Sequence, residues 1–459
     1  MKIKTIVASE IATLDSDVLL GGGTDDTAAL QAALDTAITV GGVKLIMDGA
    51  ALVRGLRLHS NTTIECQSPD CGFYLADNSD CAVVTNANWQ YYSLDTRNIT
   101  LIGGTYNQNC THQAHDIPCD PAHRQEAAFG DRHWMFGMEF YGIENLVVRD
   151  LVIRNQRTFA FMLACFKHCT IENVWLDLID RMPANNQDGF HFWGPGQFLT
   201  IKNVGGRVGD DFMNLGPDEH DKKSSITDVL IDGVFLDDAD QAIRMLSRGT
   251  GRLDRVTVRN MSGTYHGIGF YINQWFPDTT YGNFGNIKFE NIDLRPLEVH
   301  YISEPFLFQL GGNIETMSFK NIWWHRPKYK YNLFQIGIPF YDRGWQIPDD
   351  NKPHMGTIIV DGLHIDDNYA GAADTDYMYI QCPVDTLILR DIEVVRSQEL
   401  PVCGTLLRTL PGCELGSLIA RRIYTQKLDC FADLRKGIIG NTDCADIVCS
   451  GTEGALITR

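Results

Sequence analysis

Leu146-Val-Val-Arg-Asp150, Cys169-Thr-Ile-Glu-Asn173 and Leu199-Thr-Ile-Lys-Asn203 are variants of one short pattern, apolar residues alternating with polar ones and closing on Asn or Asp. The pattern returns as Val229-Leu-Ile-Asp232, Val256-Thr-Val-Arg-Asn260, Ile287-Lys-Phe-Glu-Asn291, Met317-Ser-Phe-Lys-Asn321, Ile358-Ile-Val-Asp361 and Leu387-Ile-Leu-Arg-Asp391. Successive closing residues are 23, 30, 29, 28, 31, 30, 40 and 30 positions apart. A near-constant period of this size marks a repeat architecture, in which each unit buries its apolar face against its neighbours. Alternation with period two, carried by Val, Ile, Thr and Phe, excludes helical repeats. Propeller blades need about 40 residues each, more than most of these intervals offer. What remains is an all-β chain wound as a single right-handed parallel β-helix, a solenoid whose coils turn at Asn or Asp because these residues tolerate a left-handed backbone.

Working outward from the repeats, residues 24–40 carry the one helical signal. Thr24-Asp-Asp-Thr-Ala-Ala-Leu-Gln-Ala-Ala-Leu34 begins with capping residues and keeps Ala28, Leu30, Ala33, Leu34 and Ala37 on one face. A short helix over about 26–38 is predicted, lying across the open end of the first coil. Two insertions interrupt the rhythm, at 105–137 and 325–355, and loops of that length on a solenoid build groove walls. The first holds Cys110, His112, His115, Cys119, His123 and His133, but their spacing fits no standard zinc frame, so neither a metal nor any other cofactor is expected. Beyond residue 391 the pattern becomes less regular. No composition break divides the chain, so residues 1–459 read as one domain.

With 39 basic against 58 acidic residues, the net charge of −19 argues against nucleic acid and against anionic membranes. No stretch approaches the roughly 18–20 apolar residues of a membrane helix. The N-terminal apolar run stops at Glu10 before a signal-peptide core forms, which favours a cytoplasmic location and leaves secretion open. The 13 cysteines form no CxxC pair. Local disulfides such as Cys66 with Cys71 or Cys110 with Cys119 are conceivable, although buried free thiols are the simpler expectation.

The chemistry concentrates between Asn185 and Leu215. Stacked coils lie about 4.8 Å apart, so sequence spacing becomes geometry. Asp188 and Asp210 are 22 residues apart, and aligning Gly189-Phe-His-Phe192 with Asp211-Phe-Met-Asn214 pairs Phe190 with Phe212. Asp188, Asp210 and Asp211 then gather at one bend. Carboxylates so close cannot all remain ionised, and one acting as acid beside another acting as base is what glycoside hydrolysis needs. A calcium site or plain solvated turns would use the same residues. His191, Trp193, Tyr271 and Trp275 could line a sugar platform, Arg244 could hold a substrate oxygen, and Asn186 and His266 complete the binding candidates.

These motifs resemble the polygalacturonase family of glycoside hydrolases, which are right-handed parallel β-helices. Asn186-Gln-Asp188-Gly189 looks like the family's Asn-Thr-Asp-Gly, and Gly209-Asp210-Asp211 is its Gly-Asp-Asp. The opening Asp25-Asp-Thr-Ala-Ala-Leu-Gln is similar to the start of many pectin-degrading β-helices. The resemblance implies that Asp210 is the general acid and that Asp188 and Asp211 position water for an inverting attack on a polysaccharide or oligosaccharide. No Gly-His-Gly follows, and His220 is the candidate stand-in for its histidine. Arg244 matches the first residue of Arg-Ile-Lys, but Leu246 stands where the family has Lys. A polysaccharide lyase or uronate epimerase, or a non-catalytic glycan-binding β-helix, remains the alternative on this scaffold.

Overall fold

The computed structural model describes residues 2–88, 92–119, 132–183, 186–273, 282–298, 305–326, 332–337, 353–369, 376–397, 399–402, 404–451 and 456–458. The chain divides into two compact units, Met1–Asp237 and Asp238–Arg459. Each is a stack of coils joined by parallel strand pairs, the parallel β-helix that the repeat period predicts.

In the first unit, Val43–Met47, Thr62–Cys66, Thr96–Ile102, Met138–Arg154, Phe161–Asp177 and Phe190–Arg207 pair in that order, all parallel. Their register puts Leu45, Ile64, Leu101, Val148, Ile171 and Ile201 in one line, every one fully buried. In the second unit, Val258, Phe289, Phe319, Val360, Leu389 and Ala420 form the equivalent buried line. Like stacks on like because equivalent positions recur once per coil. Phe289 lies over Phe319 with centroids 5.2 Å apart and planes 6° from parallel. Phe270 over Phe308 and Phe308 over Phe334 repeat the arrangement at 4.5 and 4.8 Å. Each buried aromatic ring removes enough apolar surface from water to contribute about 1.5–3 kcal/mol.

The Asn and Asp residues that close the repeats do turn the corners. Asp150, Asn173, Asn203, Asn260, Asn291, Asn321 and Asp391 all have φ between 50° and 60°. At the other two closures, Asp232 and Asp361, the following Gly233 and Gly362 take the positive φ instead. The side chains stack as well. Asn173 donates to Asp150 at 2.8 Å, Asn291 to Asn260 at 3.0 Å, and Asn321 to Asn291 at 3.1 Å.

The helix is Thr27–Val40, ending on Gly41 in a left-handed conformation. Leu30, Ala33, Leu34 and Ala37 are buried, whereas Ala28, expected on the same face, is exposed. Its lid function has a hydrogen-bond basis. The Gln31 side chain donates to Arg57 O at 3.0 Å and accepts from Arg57 N at 2.8 Å, so a side-chain amide satisfies the backbone of Leu56–Leu58.

Several expectations need correction. The strands Pro383–Arg396, Glu414–Gln426 and Ile438–Ser450 continue the stack in unbroken register, so the coils beyond residue 391 are regular. The insertion at 105–137 contains an antiparallel pair, Asp116–Pro118 with Arg132–Trp134, and the one at 325–355 contains the strand Asn332–Ile336. Of the two conceivable local disulfides neither forms, and Cys66, Cys71 and Cys110 are buried thiols, as the simpler expectation had it. Phe190 pairs with Met213, not Phe212, which shifts the alignment at the acidic bend by one residue, although the Phe190 and Phe212 rings still meet edge to face at 6.0 Å.

Candidate active site

The strand Phe190–Arg207 turns Phe190 and Phe192 into the coil and therefore His191 and Trp193 outward. Outward residues of a solenoid ordinarily meet solvent, yet His191 is 2% and Trp193 1% exposed. Aromatic residues from neighbouring segments cover them. Phe159 stacks on the His191 ring at 3.9 Å, Phe136 meets Trp193 edge to face at 6.4 Å, and His220 stacks on Trp193 at 5.7 Å. Neither residue is an open sugar platform.

Under this cover His191 is held between two acids. Its Nδ1 is 3.0 Å from Asp188 Oδ2 and its Nε2 is 2.8 Å from Glu219 Oε2, which also accepts the Trp193 indole N–H at 2.9 Å. Burial opposes a charge on His191, but Glu219 and Asp188 outweigh it and raise the imidazole to about 9. Asp188 is also 2% exposed. Burial pushes its carboxyl up to about 7, with the charges of Asp210 and Glu219 adding to the rise and the His191 imidazolium opposing it. The cluster thus has two strong acceptors, one titratable cation and proton affinities around neutrality. The other oxygen of Asp188, Oδ1, is buried without a hydrogen-bond partner among the described residues.

Local sequence holds Asp188 in place. Asn186 has φ 75°, a left-handed turn that Asn tolerates. Gln187 anchors the bend by accepting from Met182 N at 2.7 Å and donating to Gln156 O at 2.8 Å. Gly189 lets the next coil approach closely, since a Cβ there would fall 2.3 Å from Phe212 O and 2.6 Å from Leu176 Cδ1. Gly189 N in turn donates to Asp211 O at 2.8 Å. The observed register, continued back, sets Asp188 level with Asp211, which is 4% exposed. Asp210 accepts from Asn186 N at 3.2 Å and is the half-exposed member of the trio.

Glu219 was not among the sequence candidates. Its signal was the run Gly216-Pro-Asp-Glu-His220, which reads as an interruption between coils. Gly216 makes the room it needs, because a Cβ there would lie 2.6 Å from Glu219 Oε2. In the second unit Arg244 pairs in register with Tyr271, its guanidinium 4.8 Å over the ring. His266 bonds Asp238 Oδ1 at 2.9 Å and Glu298 O at 2.7 Å. Trp275 and His123 lie outside the described residues. Among the described residues no three His, Cys, Asp or Glu side chains converge as a metal site requires.

No family model and no curated protein matches the chain. Solved structures do. The pre-mature gene product 12 of bacteriophage phi29 matches at TM-score 0.56 and 12% identity, over 93% of this chain and 56% of that one. The fold is the right-handed parallel β-helix. PfbA, a surface adhesin of Streptococcus pneumoniae, matches at TM-score 0.50 and 12% identity, over 98% of this chain and 93% of that one. A family 28 exopolygalacturonase of Yersinia enterocolitica matches at TM-score 0.42 and 13% identity, over 100% of this chain and 78% of that one. At such identities the likeness is one of fold, and function has to be argued from the site.

Proposed function

We propose that the protein is a glycoside hydrolase that cleaves O-glycosidic bonds of a polysaccharide or oligosaccharide by inverting acid/base catalysis. The observation that carries this reading is the buried Asp188–His191–Glu219 chain beside the half-exposed Asp210. Asp210 reaches solvent and donates a proton to the glycosidic oxygen. Asp188, its carboxyl raised to about 7 and its Oδ1 without a partner among the described residues, receives a proton from the attacking water, while Asp211 on the adjoining coil helps to place that water. A base serves best when its affinity lies near the working pH. His191 and Glu219 act through Asp188, fixing its orientation and tuning its charge.

Replacing Asp210 by Asn should lower turnover by about 10²–10⁴-fold, the usual contribution of a positioned acid, with the circular dichroism spectrum unchanged. Full activity in that variant would end the assignment. The assay is a glycan panel with products followed by mass and optical rotation. Products absorbing in the near ultraviolet would identify a lyase instead.

One observation favours a second reading, a non-catalytic glycan-binding β-helix. Asp188 and His191 are each 2% exposed, as deeply enclosed as structural groups. Saturable glycan binding without turnover on any member of the panel would select it.

A further inference from the structure

In the second unit the long strands Ile314–Arg326, Met355–Asp367 and Pro383–Arg396 end in register, Arg326 opposite Asp367 and Asp367 opposite Arg396. The three are 1%, 1% and 2% exposed. Two guanidinium groups therefore share one buried carboxylate, leaving a net positive charge.

The carboxylate is largely committed elsewhere. Asp367 Oδ1 accepts from Tyr369 N at 2.9 Å and Oδ2 from the Tyr377 hydroxyl at 2.5 Å. Arg396 Nε is 3.1 Å from the same Oδ2, and its other nitrogens donate to Pro401 O and Lys427 O, both at 2.9 Å, and to Tyr369 O at 3.3 Å. Arg396 is thus a clamp between loops. Arg326 is not. Its Nη1 stands 3.6 Å from Asp367 Oδ2, beyond hydrogen-bond length. Neither Nε, Nη1 nor Nη2 of Arg326 has an acceptor among the described residues, and the same holds for the fully buried indole nitrogen of Trp324.

Rings cover the guanidinium, with centroids at 4.6 Å for Tyr369, 5.4 Å for Tyr377 and 5.9 Å for Trp324. Ring faces attract a cation but leave its N–H edge unmet. Arg and Trp side chains only donate, and Arg cannot discharge by losing a proton. Buried donors without acceptors are expensive. An acceptor carrying negative charge would relieve both costs at once, and the planar guanidinium fork matches the paired oxygens of a carboxylate or sulfate.

We propose that Arg326 and the Trp324 indole N–H form a buried binding site for a small oxyanion, which neutralises the Arg326–Asp367–Arg396 row and stabilises the second unit. The site is independent of the hydrolase reading and stands or falls by itself.

The test is thermal unfolding of the full chain at constant ionic strength in acetate, in sulfate, and in a sulfonate buffer anion too bulky to be enclosed. The expected result is a saturable rise in Tm of roughly 2–4 °C in acetate or sulfate, relative to the sulfonate. A response to acetate alone assigns a carboxylate ligand, and a response to sulfate alone an inorganic oxyanion. Arg326→Met should abolish the rise, and Arg326→Lys, which keeps the charge but loses the fork, should weaken it by about tenfold in anion concentration. No anion-specific rise in the wild-type protein, or a rise that persists in Arg326→Met, overturns the proposal. Should Arg326→Met fail to fold, crystals of the unaltered protein soaked in the heavy-atom analogue of whichever anion raised Tm, selenate for sulfate or bromoacetate for acetate, decide the matter. An anomalous peak within reach of Arg326 supports the site, and its absence at saturation overturns it.

Discussion

The two units each bury a row of three charged groups, and the rows solve the problem of burial differently. In the first, one imidazole lies between two carboxylates, and burial and neighbouring charge raise Asp188 to about 7 and His191 to about 9. In the second, one carboxylate lies between two guanidinium groups that stay charged at any pH. The first row balances its charge by moving protons. The second has no such option and must find an acceptor. Groups that titrate are suited to acid/base chemistry, and groups that cannot are suited to holding an anion or a loop.

The contrast can be broken by mutation, the largest effect first. His191→Ala leaves Asp188 and Glu219 enclosed with no cation between them, and removing one partner of a buried charge cluster costs about 3–5 kcal/mol. Arg326→Met removes the cation in excess and leaves Asp367 still paired with Arg396, so no charge is stranded and the cost should be far smaller. Urea unfolding of the two variants measures the difference, and equal destabilisation would erase the distinction between the rows.

A smaller effect separates the geometry of the first row from its charge. Gly189→Ala forces a methyl against Phe212 O and Leu176, which should cost about 1–3 kcal/mol and displace Asp188 without removing any titratable group. Activity falling together with stability in that variant would locate the function of Gly189 in the coil-to-coil approach.

The pH dependence sharpens the comparison further. The Asp188 carboxyl rises from 3.8 to about 7 on folding, so between these values the native state holds the extra proton. Stability from this group is therefore present in full below pH 3.8 and is lost as pH climbs through 7. His191 extends the same sign of dependence from 6.5 to about 9. Asp188→Asn should remove the lower part of this decline, seen as a flatter Tm profile than that of the unaltered protein, whereas Arg326→Met should leave the profile's slope unchanged. The smallest expected effect is kinetic. His191→Gln removes the cation that favours ionised Asp188, so the acidic limb of kcat/KM should move to higher pH.

Much of the architecture was legible because a solenoid writes its geometry into its period. The spacing of Asp150, Asn173 and Asn203 predicted corners, and all three adopt the left-handed backbone that corners need. The helix predicted over about 26–38 is found at Thr27–Val40 and followed from its apolar face, whereas Asp26 makes no capping bond and accepts from Thr13 N and Leu14 N instead. The coils after residue 391 looked irregular because their outward positions vary, yet the inward line Leu389, Ala420 and Cys444 stays in register.

The site was legible only in part. Asp188, Asp210 and Asp211 could be gathered at one bend from coil spacing, because in a stacked fold sequence distance translates directly into position along the axis. The register itself could not be read to one residue, since Phe212 and Met213 are both apolar and either could pair with Phe190. Glu219 and Phe159 escaped notice for a related reason. They reach His191 from a turn and from a different coil, and nothing periodic links their positions to it. Sequence alone determined the coil period, the corner residues and which acids share a bend, because these depend on local backbone preference and on repetition. Tertiary structure alone decided that His191 is enclosed between two carboxylates and that Arg326 is enclosed with no acceptor for its nitrogens among the described residues. Burial and proton affinity are set by what distant segments lay over a side chain, and no local pattern encodes that.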